Sequence, residues 1–74
     1  MITMNEFIQL FAEQFDEIPS VELTPETRFR ELPEWSSLVA LSVLSMIDDE
    51  LNANITAPEM RTAQTIEELY NKIH

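Results

Sequence analysis

Trp35-Ser36-Ser37-Leu38-Val39-Ala40-Leu41-Ser42-Val43-Leu44-Ser45-Met46-Ile47-Asp48-Asp49-Glu50-Leu51 decides how this chain folds. A serine pair opens the segment, no proline interrupts it, and three acids stand near its end. Leu38, Leu41, Leu44, Ile47 and Leu51 lie on one apolar stripe at helical spacing, with Val39, Val43 and Met46 on a second stripe beside it. The spacing predicts a helix that begins at Ser36 or Ser37 and runs to Leu51. Two adjoining stripes suit a central helix buried on most sides. Another reading of the same residues takes Val39, Ser42 and Met46 as a partly exposed strip running down from Ser37. Such a strip would meet transient partners, with Met46 adaptable enough for several of them.

The serine pair admits two accounts. Ser36 is suited to cap the helix, accepting hydrogen bonds from the free N–H groups of the first turn, a contribution of about 1 kcal/mol. In the bland account Ser37 is only the next polar residue. In the functional account the cap fixes the direction of Ser37 at the positive end of the helix dipole, where backbone N–H groups favour an anionic substituent. A phosphodiester on the Ser37 hydroxyl would then sit where the helix field stabilises it.

Working outward, Thr3 with Glu6 reads as a capping box, and Phe7, Ile8, Phe11 and Phe15 form the stripe of a first helix from about Met4 to Phe15. Pro19 stops it. The long connection from Asp16 to Trp35 contains Thr24-Pro25, a plausible short turn, and Phe29 and Leu32, which should tuck under the helices. Pro33 stiffens the approach to the serines. Thr56 and Pro58 mark a short helix, about Pro58 to Arg61. Thr65 with Glu68 reads as another capping box, opening a last helix whose inward face is Ile66, Leu69, Tyr70 and Ile73. The fold class is all-α: three main helices, one short helix and a long first loop, in a single domain spanning 1–74.

Composition excludes several functions. Fourteen acidic residues against four basic ones give a formal net charge of −10, which repels nucleic acid and anionic lipid and attracts basic protein surfaces. The 45% hydrophobic content supports a folded chain. Without cysteine there is no disulfide and no thiolate metal site. Without glycine there is no Gly-rich phosphate cradle. The apolar segment is too short to span a bilayer, and no secretory signal is visible, so a cytoplasmic location is the default. His74, the one histidine, stands at a terminus expected to fray, so no Ser-His-Asp arrangement is expected. Asp48-Asp49-Glu50 lacks the oxygen-ligand spacing of a calcium loop, and no metal site is expected. Acids at a helix C-terminus oppose the macrodipole. They read either as a solvated face or as a docking site for arginine and lysine on partner enzymes.

The chain resembles the acyl carrier proteins, whose pattern is a four-helix bundle with Asp-Ser-Leu at the start of helix two. Ser36-Ser37-Leu38 stands at that motif, Phe29-Arg30-Glu31-Leu32 resembles the approach to it, and Trp35 matches members reading Trp-Asp-Ser-Leu. Downstream, Ile47-Asp48-Asp49-Glu50-Leu51, Ile55 and Thr65-Ile66-Glu67-Glu68-Leu69 keep the family order, so the likeness covers nearly the whole chain. The resemblance implies that Ser37 carries 4′-phosphopantetheine, donated by coenzyme A through a phosphopantetheinyl transferase. It also implies that the arm's thiol holds an acyl group as a thioester. Implied partners are acyl-loading, condensing or acyltransferase enzymes with basic surfaces. They would meet a non-enzymatic monomer through Leu38, Val39, Ser42, Met46, Asp48 and Asp49. The acyl chain is expected to fold back between helices two and four. Ser36 replaces the family's aspartate, keeping the cap and losing the charge, and Ser42 stands where many members carry an acid. These departures fit a specialised carrier, of bacterial secondary-metabolite or modified-lipid type. They also keep open an unmodified, acidic interaction module that binds a basic partner.

Overall fold

The computed structural model describes residues 2–17, 19 and 21–73. Among these residues four helices occur in order: α1 (Met4–Glu13), α2 (Ser37–Leu51), α3 (Ala57–Thr62) and α4 (Ile66–Lys72), with a 3-10 turn at Phe29–Glu31 in the first loop. There is no strand among the described residues. His74 lies outside them.

Each start has a side-chain cap. Thr3 and Glu6 form a reciprocal capping box on α1, and Thr56 and Glu59 form one on α3. At α4 the box is divided. Thr65 Oγ1 accepts from Glu68 N, while Glu68 Oε1 accepts from Gln64 N at 3.0 Å. The end of α2 needs a left-handed residue, and in a glycine-free chain Asn52 takes it, at φ 54° and ψ 38°.

The core is a single cluster. Phe7, Phe11, Phe29, Val43, Ile47, Ile66 and Leu69 are fully buried in it, and α1 packs against both α2 and α4. Here the reading of α2 is corrected. Leu38 and Leu41 are 69% and 61% exposed, whereas Val39 and Met46 are 2% and 4% exposed. Val39 and Met46 of the supposed outer strip face inward while Ser42 stays half-buried, and Ile47 of the other stripe is buried with them. Val39, Val43, Met46 and Ile47 join the phenylalanines of α1 in the core, and burying each side chain is worth about 1.5–3 kcal/mol.

Two boundaries also differ. The i→i+4 ladder of α1 ends at Glu13, and tighter bonds come after it, from Gln14 N to Phe11 O and from Phe15 N to Ala12 O. That turn still buries Phe15, its ring 5.8 Å from Phe11 and 6.0 Å from Trp35. Helix α3 gains a residue at each end of the predicted span.

The long loop is anchored twice. Its Thr27 and Pro25 carbonyls accept from Ile66 N and Glu67 N at 3.2 and 2.9 Å, satisfying free donors of α4's first turn. Phe29 is buried against Phe11, with Trp35 edge-on to it at 4.9 Å.

Candidate functional site

The approach to α2 is held by aromatic packing. The Trp35 ring stacks on Phe11 at 6.0 Å and 8°, and Trp35 N donates to Leu32 O at 3.0 Å. That contact sets where the next two residues go. Ser36 is extended, and its Oγ accepts from Val39 N at 3.2 Å, so its side chain is spent on the cap. Ser37 is the first residue of α2. It is exposed, and its hydroxyl makes no hydrogen bond among the described residues. The pair is thus divided: one oxygen holds the helix and the other is uncommitted at its positive end.

Beside Ser37 a groove of about 520 Å³ opens between α2 and α3. Its wall on α2 is Ala40, Leu41 and Leu44. Ala57, Met60 and Arg61 face them from α3, and Trp35 and Arg30 close the loop side. A recess between α2 and α4 is present, but not beside Ser37. A cavity of about 480 Å³ lined by Leu51, Ala53, Tyr70 and Ile73 lies at the far end of α2, about 21 Å along the helix from Ser37.

On another side of α2, a shallow hollow of about 600 Å³ runs against α1. Leu38 and Leu41 stand in it with half-buried Ser42, rimmed by Glu13, Asp16, Asp49 and Glu50. Asp48 and Asp49 are exposed, and the last turn of α2 has no basic residue to offset them.

Of the residues the sequence singled out, Ser36, Ser37, Leu38, Ser42, Asp48 and Asp49 are on or near the surface. Val39 and Met46, at 2% and 4% exposed, pack into the core, with Met46 also lining the bottom of the hollow. Sequence reasoning missed Leu41, whose place on the supposed inner stripe concealed it. It also missed Arg30 and Arg61, which a count of only four cations could have flagged.

No cluster of three acids or histidines that could hold a metal ion occurs among the described residues. No helix of the described residues is long and apolar enough to cross a membrane. A protein-borne base for activating Ser37 is not among the groove's lining side chains.

Residues 5–73 match a family model described as "Phosphopantetheine attachment site". No curated protein and no solved structure matches the chain.

Proposed function

The chain belongs to the phosphopantetheine-attachment family, and from that premise we propose that Ser37 bears the arm of an acyl carrier. The family carries covalently attached 4′-phosphopantetheine, and its fold is the all-helical one found here. The observation that carries the assignment to Ser37 is the division of the serine pair. Ser36 Oγ is engaged with Val39 N, while the Ser37 hydroxyl is exposed and uncommitted.

The residues present fit the group. Ser37 offers an accessible oxygen at a helix N-terminus that favours a phosphodiester, beside an apolar groove with room for the pantetheine portion. When bound, the arm supplies a terminal thiol that carries an acyl group as a thioester. Ser36 holds the first turn so that the Ser37 Oγ projects outward. The Trp35–Phe11 stack keeps that turn in place on the core. A phosphopantetheinyl transferase brings the base and metal for attachment. The protein itself turns nothing over; tethering raises the effective concentration of the cargo at each partner's active site.

Basic surfaces of partner enzymes dock on the exposed part of α2. Leu38 and Leu41 give the apolar contact, and Asp48, Asp49 and Glu50 give the electrostatic one. Contacts of this kind are small and short-lived, as passing a substrate onward requires. The departures at Ser36 and Ser42 fit a specialised bacterial pathway operating in the cytoplasm.

Coexpression with a broad-specificity transferase tests this. The intact mass should rise by one phosphopantetheine, and Ser37→Ala should abolish the rise while leaving the helical spectrum unchanged. A bare wild-type chain that still binds a basic partner would favour the unmodified interaction module instead. An adduct on Ser36 would refute the division of roles.

A further inference from the structure

The groove beside Ser37 holds an unusual share of the chain's positive charge. The sequence has four basic residues and fourteen acidic ones, yet Arg30 and Arg61 both line this one groove. They come from different elements, Arg30 from the 3-10 turn and Arg61 from the last turn of α3. Neither takes part in an ion pair among the described residues, where the pair formed is Arg28 with Glu31, at 3.7 Å. Two of the three arginines thus have no carboxylate partner among the described residues, and both of them line this groove. Between them the groove floor is apolar, from Trp35, Leu44 and Met60.

We infer that this groove is an oxyanion subsite for the arm tethered at Ser37, with Arg30 and Arg61 as its cationic groups; the inference rests on Ser37 being the attachment point. Guanidinium presents paired donors that match phosphate and carboxylate oxygens. A large acidic partner would be repelled by the net charge of −10 before reaching the groove. A small anion on a covalent tether is delivered at millimolar effective concentration and escapes that barrier. Two parts of a loaded arm have this chemistry: the phosphodiester at its base, and a carboxylate at the far end of an acidic acyl cargo. The apolar floor suits the uncharged segment of either.

The test uses the transferase with coenzyme A, butyryl-coenzyme A and succinyl-coenzyme A to make three loaded forms, each verified by intact mass. They are compared with the unmodified protein, in wild type and in Arg30→Gln/Arg61→Gln. Readouts are the melting temperature at about 20 and 300 mM salt and the NMR positions of the arginine Nε–H signals. Without a cationic subsite, added negative charge lowers the melting temperature of so acidic a chain.

If the subsite takes a cargo carboxylate, the wild-type succinyl form should melt about 2–8 °C above the butyryl form at low salt. The Arg30 and Arg61 signals should shift only with the succinyl cargo. If it takes the phosphodiester, all three loaded forms should melt above the unmodified one, with the arginine signals shifted alike. In both cases the double variant loses the gain and about 300 mM salt reduces it. Loaded forms that melt no higher, with unmoved arginine signals, overturn the inference and leave Ser37 as the attachment point. Failure to form any adduct overturns both.

Discussion

Replacing each serine of the pair separates holding the helix from carrying the arm. Ser36→Ala removes the oxygen that accepts from Val39 N at 3.2 Å, leaving that donor to solvent. Loss of such a cap costs about 0.5–2 kcal/mol, typically 1. In a domain of this size, 1 kcal/mol moves the melting temperature by about 4–8 °C. Ser37→Ala removes an exposed hydroxyl with no partner, and the change should stay within about 0.5 kcal/mol. Ser36→Asp keeps a capping acceptor and adds negative charge where the helix dipole favours it by about 0.3–1 kcal/mol. Self-repulsion in a chain of net charge −10 offsets part of that gain, so its melting temperature should equal or slightly exceed wild type. Thermal circular dichroism gives the stabilities. Intact-mass spectra over a time course with transferase and coenzyme A give the modification rates. The expected pattern is a less stable Ser36→Ala that is still modified, and an unmodified Ser37→Ala of wild-type stability. Ser36→Asp should be modified faster than wild type. Equal destabilisation by Ser36→Ala and Ser37→Ala, or an adduct that survives Ser37→Ala, would refute the argument.

Burial makes a second contrast on α2. Val39→Ala and Met46→Ala should destabilise by about 1–3 and 2–5 kcal/mol in denaturant titrations, whereas Leu38→Ser and Leu41→Ser, at 69% and 61% exposed, should cost little. The leucine pair should instead weaken pull-down by a partner enzyme. Asp48→Lys with Asp49→Lys should also weaken it and flatten its salt dependence, and unchanged affinity would make these acids a solvated face. Acid sensitivity should concentrate in the capping boxes. Hydrogen bonds from the Thr3 backbone and side chain hold the Glu6 carboxyl below its ordinary 4.5, and Thr56 does the same for Glu59. A carboxyl depressed by folding stabilises the native state above its unfolded value and loses that contribution as pH falls through the folded one. Melting temperatures should therefore fall below about pH 4.5, and Glu6→Gln with Glu59→Gln should make that fall shallower. Asn52→Gly should raise stability by about 0.5 kcal/mol, because the left-handed cap at φ 54° costs glycine nothing; a loss would mean that the Asn52 side chain has a further role.

Local chemistry was legible in the sequence because it depends on residues a few positions apart. The threonine caps, the Thr24-Pro25 turn and the role of Ser36 at the helix start all come from spacing and stand as read, except that Glu68 reaches Gln64 N and leaves the box at Thr65 half-formed. The orientation of α2 was not legible. Apolar residues occupy both of its stripes, and a period of 3.6 cannot tell which stripe a partner element covers. That choice was made by Phe7 and Phe11 on α1, far from α2 in sequence. The groove beside Ser37 was hidden for the same reason, since the 3-10 turn, α2 and α3 must all be in place before Arg30 and Arg61 share it.

The reversal on α2 has a consequence for docking. With the valine stripe buried, two leucines are left outside on the first turns of the helix that begins at Ser37. Exposing them forgoes burial worth about 1.5–3 kcal/mol each, in a chain too short to have much stability in reserve. Val39 and Val43 already supply the core contact, so the leucines add nothing to the fold. They lie instead in a hollow whose rim is Glu13, Asp16, Asp49 and Glu50. An apolar centre within an anionic rim matches a partner with an apolar contact flanked by arginine or lysine. In the proposed docking mode the carboxylates would speed encounter and set orientation, while the leucines would hold the complex once formed. High salt should therefore slow association more than it speeds release, and Leu41→Ser should do the reverse. Surface plasmon resonance at two salt concentrations separates the two rates, and a leucine substitution that altered only association would break this division of labour.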